Sequence, residues 1–159
     1  FIQNCSGAIP GPQDCFLTLR GITTLHLRVD RACENAAKIA EFLLSSDKIK
    51  SVHYPGLATH KNHELAKKQM DKFGAMVSFT LKEDSMEAAT KVLIGTKLFS
   101  LAESLGGVES LIGHPATMTH ASIPIEERRK TGVLDSLIRL SVGIEDVDDL
   151  IEDLKIALN

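Results

Sequence analysis

The chain has 159 residues, with 18 Lys and Arg against 21 Asp and Glu, and is 43% hydrophobic and 4% aromatic; a globular chain of that size buries roughly 70% of its unfolded surface and needs no disulfide or structural metal to fold. A net charge of −3 and scattered basic residues exclude the basic stripe of a nucleic-acid binder, and no apolar run approaches the ~20 residues of a membrane-spanning helix. Six acids (Glu145, Asp146, Asp148, Asp149, Glu152, Asp153) and one Lys155 give residues 145–159 a local charge of −5, so the rest of the chain sums to +2 and the acidity belongs to one segment.

The N-terminus, Phe1-Ile2-Gln3-Asn4, has neither the basic start nor the apolar core of a secretion signal. Cys5, Cys15 and Cys33 are odd in number and lack CxxC spacing, which points to reduced thiols of a cytoplasmic protein, buried as small apolar groups. Residues 7–12 are turn-rich, and Pro12 followed by Asp14 suits a first helical turn, where the missing N–H costs nothing and the acid meets the positive end of the dipole. From Phe16 to Leu44 apolar residues recur at helical spacing, giving one helix or two pieces joined near Gly21. A helix of about thirty residues spans about 45 Å, so its first half is expected to pack on something outside this segment.

Ile49–Tyr54 reads as a strand closed by Pro55-Gly56, and His60–Met70 as a polar helix. Gly74–Leu81 reads as a strand with Val77, Phe79 and Leu81 on one face, Ser85–Ile94 as a helix, and Lys97–Leu101 as a third strand. A final strand, Leu137–Val142, precedes the acidic helix, whose stripe is Val147, Leu150, Ile151, Leu154 and Leu158. This order predicts an α/β chain of the α+β kind, a mainly antiparallel sheet covered by helices on one face and preceded by a long connecting helix. Residues 100–125 are the least regular stretch.

Three groups of side chains could carry chemistry. Period-two alternation puts Arg139 with Leu137 and Ser141, opposite Ile138, Leu140 and Val142, where its planar fork of donors can meet a carboxylate; by position alone, an arginine on the solvated face of a sheet is the commoner case. Leu101 to Ser110 sets Glu103, Ser104 and a Gly106-Gly107 turn after a strand, which permits a pocket lined by hydroxyls and N–H groups, although a plain loop is the commoner meaning. His53, His60 and His63 invite a metal site, but no third ligand has fixed spacing, and the lysines around them describe a solvated helix face. His114 and His120 could join Ser104 or Ser122 in a triad, but there is no nucleophile-elbow motif, so they read as polar loop histidines.

Several segments taken together are more specific: residues 3–14 (QNCSGAIPGPQD), 20–25 (RGITTL), 54–57 (YPGL), 102–110 (AESLGGVES), 115–122 (PATMTHAS) and 138–146 (IRLSVGIED). Through them the whole chain resembles the C-terminal portion of the pyridoxal-phosphate enzymes of cysteine and methionine metabolism, a group that includes cystathionine γ-lyases, γ-synthases and β-lyases and methionine γ-lyases. The resemblance implies a fold type I parent whose large domain holds the cofactor, absent from this chain, while residues 1–46 form the connecting helix and 47–159 a small domain that closes over the substrate. It implies that Arg139 grips the substrate α-carboxylate, that Ser104 helps position the same end, that Glu103 lies at the site mouth as in the γ-acting members, and that Thr119 supports the arginine. The lysine that carries pyridoxal phosphate belongs to a Ser-x-Thr-Lys segment that does not occur here, so no catalytic residue is expected in this chain, and Lys97 is merely the lysine nearest the site in sequence. The activity implied is γ-elimination of cystathionine to cysteine, 2-oxobutanoate and ammonia, in a cytoplasmic homotetramer. Its alternatives are γ-replacement on an O-acylhomoserine, β-elimination, and a non-catalytic amino-acid-binding or interaction module.

Overall fold

A computed structural model describes residues 1–159. The chain starts with a short helix, α1 (Ile2–Ser6), stopped by Gly7 at φ 64, a left-handed conformation that glycine adopts without strain. Helix α2 (Pro12–Ile22) has Pro12 in its first turn, and the Asp14 carboxylate accepts the Gly11 N–H at 3.2 Å. Helix α3 (Leu25–Ser45) follows after a break at Thr23-Thr24. The long helical stretch is therefore two pieces: beyond the poor helix former Gly21, the Thr23 hydroxyl donates to the Arg20 carbonyl at 2.7 Å and competes with the helical ladder. No residue of α1 or α2 is buried, and the first buried residue of α3 is Ala32. Two of the three cysteines depart from the expected burial for this reason, since Cys5 and Cys15 lie on these uncovered helices while Cys33 is buried.

The remaining elements are β1 (Ile49–His53), α4 (His63–Gln69), β2 (Met76–Leu81), α5 (Met86–Gly95), β3 (Ser100–Leu101), β4 (Leu111–Gly113), α6 (Ile125–Lys130), β5 (Leu137–Ser141) and α7 (Val147–Leu158). The five strands form one mixed sheet in the order β1-β2-β5-β4-β3; β3 and β4 are parallel and the other three pairings antiparallel. Phe79 lies opposite Ile138, and Val77 and Ile112 lie opposite Leu140, so alternate side chains of the central strands form one apolar face. On that face pack Ala36, Ile39, Ala40 and Leu43 of α3, Val92 and Leu93 of α5, and Leu150 and Leu154 of α7. Gly95 lets α5 approach α7 closely, since a Cβ there would lie 3.1 Å from the Ala157 Cα. Each fully buried Leu, Ile or Phe contributes about 1.5–3 kcal/mol, and no residue before Ala36 joins this cluster.

The third strand is shorter than its pattern suggests because the N–H groups of Lys97, Leu98 and Phe99 donate to the Asp153 carboxylate instead of to a neighbouring strand. The polar helix also starts later, at His63, after a run of turns held by Leu57 N–H to Tyr54 O at 3.1 Å and His60 N–H to Leu57 O at 2.9 Å. No helix is long and apolar enough to cross a membrane.

Candidate functional site

Arg139 projects from the centre of the sheet on the side away from the apolar face. Its neighbours in register are Ser78 on β2 and Gly113 on β4, two small residues that leave room for the guanidinium. A Cβ at Gly113 would sit 3.2 Å from the Ala102 carbonyl and 3.9 Å from both Arg139 Nη2 and Met118 Sδ, so the space over this residue is already closed by the Ala102 backbone, the arginine and Met118 together. Half-buried, Arg139 takes part in none of the chain's ion pairs. Its Nη2 donates to the Glu103 carbonyl at 2.7 Å and, longer, to the Ser104 carbonyl at 3.4 Å; Nε and Nη1 donate to no protein acceptor. The result is a cation anchored through one nitrogen and free at the others, in a small cleft lined by Glu103, Gly113, His114, Pro115, Met118, Thr119 and Arg139.

Two segments wall the cleft. The 102–110 segment is tied at its start by Ala102 N–H to Ile112 O at 3.0 Å and in its middle by Gly106 N–H to Ser141 Oγ at 2.9 Å. It is tied at its end by Ile144 N–H to Val108 O at 2.9 Å. Gly106 is at φ 79, which favours glycine at that bend. The 114–124 segment is anchored by His114, which is buried. Its Nε2 lies 2.7 Å from the Asp135 carbonyl, which can only accept, so Nε2 carries the proton and Nδ1 accepts the Thr117 hydroxyl at 2.8 Å. Asp135 is in turn held by Arg128 and Arg129, whose hydrogen bonds keep its carboxyl below the usual carboxylate range, Arg128 chiefly.

Arg139, Glu103 and Thr119 thus line one cleft, whereas Ser104 reaches the arginine only through its carbonyl, its hydroxyl making no bond within the chain. The Thr119 hydroxyl pairs with His120 Nδ1 at 2.8 Å and not with Arg139. No triad assembles: both nitrogens of His114 are committed, and neither Ser104 nor Ser122 hydrogen-bonds a histidine. His63 Nδ1 donates to Pro55 O at 2.8 Å and its ring stacks on Phe73, while His60 Nδ1 accepts the Asn62 N–H at 3.2 Å, so the two imidazoles serve separate local contacts.

The cleft offers no amine that could carry pyridoxal phosphate. None of the twelve lysines lines the cleft; all are exposed except Lys72, which pairs with Asp30 at 3.1 Å and Glu34 at 2.9 Å. Lys97 is exposed, and its own N–H is held by Asp153 at 2.8 Å.

Sequence reasoning missed Asn35, Ser110, Ser141 and Glu145. Glu145 reads as one more acid of the last helix, yet that helix is capped by Asp146, whose carboxylate accepts the Asp148 N–H at 2.9 Å. Glu145 instead accepts the Ser110 N–H at 2.6 Å and its hydroxyl at 2.9 Å. Its position before the capping residue was the available signal.

The family model of the Cys/Met metabolism PLP-dependent enzymes matches residues 1–159. The chain is 56% identical over 158 residues to a cystathionine beta-lyase of Coxiella burnetii, covering 99% of this chain. It is 54% identical over 159 residues to a cystathionine gamma-lyase of Dictyostelium discoideum and 55% identical over 161 to one of Saccharomyces cerevisiae, covering 100% and 99% of the chain. In each case the match covers 41% of the relative, so the chain spans about two fifths of the length of these proteins. Over its full length, then, the chain belongs to the Cys/Met metabolism PLP-dependent enzymes.

Proposed function

We propose that this chain is the substrate-closing portion of a pyridoxal-phosphate-dependent carbon–sulfur lyase that cleaves the γ C–S bond of cystathionine, giving cysteine, 2-oxobutanoate and ammonia. The observation that carries the proposal is Arg139, a half-buried guanidinium with no acidic partner, locked through Nη2 and open at Nε and Nη1. Those free donors receive the substrate α-carboxylate, which fixes one end of the amino acid and aims the other at the bond to be broken. Ser104 orients the same end from the loop beside it, Glu103 lies at the mouth, and Thr119 lines the opposite wall. The cofactor belongs to residues outside 1–159, together with the lysine that carries it, and all bond-breaking chemistry belongs with them.

The uncovered N-terminal helices support a connecting arm that ends within α3, since Ala36, Ile39, Ala40 and Leu43 already pack into the core of the small domain. Phe16, Leu17, Leu19 and Ile22 of α2 and Leu25, Leu27 and Val29 of α3 are exposed apolar side chains, as expected of a connecting arm that packs on a cofactor-holding domain. The family resemblance further supports a cytoplasmic homotetramer.

The β-elimination reading is kept because the Coxiella burnetii relative is a cystathionine beta-lyase. Product analysis of the longer enzyme carrying this chain decides between them. Cysteine and 2-oxobutanoate from cystathionine are expected; homocysteine and pyruvate indicate β-elimination, and condensation of an O-acylhomoserine with cysteine indicates γ-replacement. Arg139→Ala is expected to raise KM for cystathionine about 100-fold, with Arg139→Lys recovering only part because it cannot present a planar fork. An unchanged KM removes Arg139 from substrate binding.

A further inference from the structure

The loop that receives Arg139 is itself held by the segment that carries Arg139. The Glu145 carboxylate spends both oxygens on Ser110, one accepting its N–H at 2.6 Å and the other its hydroxyl at 2.9 Å. The same hydroxyl accepts the Gly143 N–H at 2.9 Å, and Ser110 is fully buried. Gly143 packs so tightly here that a Cβ would lie 2.1 Å from the Val108 carbonyl and 2.5 Å from Glu145 Oε2. From the helix side, the buried Asn35 Nδ2 donates to the Gly143 carbonyl at 3.1 Å and the Glu145 carbonyl at 2.9 Å. The constraints therefore close into a ring: β5 to Arg139, Arg139 to the carbonyls of Glu103 and Ser104, along the loop to Ser110, and through Glu145 and Gly143 back to β5.

We infer that Glu145, acting through Ser110, is a positioning residue that sets the direction of the Arg139 guanidinium by clasping the 103–110 loop to the turn after β5. The inference rests on the reading of Arg139 as the carboxylate-binding group. A charge-assisted pair of hydrogen bonds to one serine, made where the helix is already capped by another residue, has no helical duty to perform. Its effect is to fix the carbonyls that fix Nη2, and a small misplacement of such a group is costly for an oriented substrate.

The test uses the longer enzyme carrying this chain, with Glu145→Ala, Glu145→Gln, Ser110→Ala and Arg139→Ala compared to wild type. KM and kcat for cystathionine are measured, together with inhibition by an amino-acid competitor and by the amine that lacks its α-carboxyl. Glu145→Ala is expected to raise KM about tenfold with kcat changed less than about threefold, and to weaken the amino acid but not the amine. Glu145→Gln still accepts the Ser110 N–H and recovers most of the loss. Ser110→Ala keeps the backbone bond and gives a smaller shift in the same direction; it carries the test if Glu145→Ala does not fold. Wild-type KM in either folded variant overturns the inference, as does equal weakening of amino acid and amine. If Arg139→Ala weakens the amino acid while Ser110→Ala does not, the clasp alone fails; if Arg139→Ala changes nothing, the carboxylate reading fails and the clasp with it.

Discussion

Replacing Asp153 by alanine is expected to destabilise the chain by about 3–4 kcal/mol. Asp153 is 7% exposed on α7, and its carboxylate accepts three successive amides of the turn between α5 and β3: Lys97 at 2.8 Å on Oδ1, then Leu98 at 2.9 Å and Phe99 at 3.2 Å on Oδ2. The three donors are not equivalent. Phe99 is buried, so its orphaned N–H finds no water and costs about 2 kcal/mol, whereas Lys97 and Leu98 are exposed and their amides recover hydration, costing about 0.5–1 kcal/mol each. Asp153→Asn keeps one oxygen for Leu98 and Phe99 and turns an NH2 toward the Lys97 N–H, so it should cost about 1–2 kcal/mol. Urea unfolding at constant salt reads both values, and a shifted midpoint with an unchanged slope identifies a native-state effect. Faster amide exchange at Phe99 than at neighbouring strand residues would locate it. A loss under about 1 kcal/mol for Asp153→Ala, or equal losses for the two variants, would refute the assignment of these three amides to one carboxylate.

The chain's single tyrosine, with no tryptophan to obscure it, offers a clean titration. Burial, with the nearby Cys33 adding, pushes the Tyr54 hydroxyl up to about 12, so its contribution to stability is complete below the unfolded value of about 10 and is lost as pH rises from there toward 12. Phenolate absorbance in the folded chain should therefore appear only toward pH 12, and Tyr54→Phe should remove this dependence while costing about 1 kcal/mol at neutral pH for the lost bond to the Gly74 carbonyl. Phenolate formation near pH 10 in the folded chain would contradict it. Asp135 titrates with the opposite sense: the hydrogen bonds from Arg128 and Arg129 depress its carboxyl, so its stabilisation is present above the unfolded value of about 3.9 and lost as pH falls through the folded one. Urea midpoints followed from about pH 5 downward should fall less steeply in Asp135→Asn than in wild type.

The parts of the fold that were legible are those written as periodicity. Val77, Phe79 and Leu81 alternate, as do Ile138, Leu140 and Val142, and every one of these six is buried. The same alternation put Arg139 on the opposite face, where the structure has it between Ser78 and Gly113. What escaped was written as single long-range bonds. The three residues of β4 are too few to show a pattern and exist because β5 supplies their partners. The strand from Lys97 was overestimated because a carboxylate more than fifty residues later takes its amides. Helix α6 is a short run of charge, EERRK, whose Arg128 is buried against Asp135 and the Val133 carbonyl, contacts that no helical period encodes. Glu145 was visible as a charge but not as a clasp, since its partner Ser110 lies thirty-five residues earlier across the sheet.

The order of the sheet has a consequence for synthesis. The strand that occupies its middle, between β2 and β4, is the last of the five to leave the ribosome. Domains form as units while the chain is still growing, at about 5–20 residues per second. Here β1 and β2 can pair early, yet β2 must wait with one edge open until residue 137 and beyond arrive, and such an edge invites pairing with another nascent chain. Arg139 rides on that late strand, so the cleft it lines cannot exist in any partly made product. Losing the final two dozen residues would take out the keystone of the sheet together with α7, rather than trim its end.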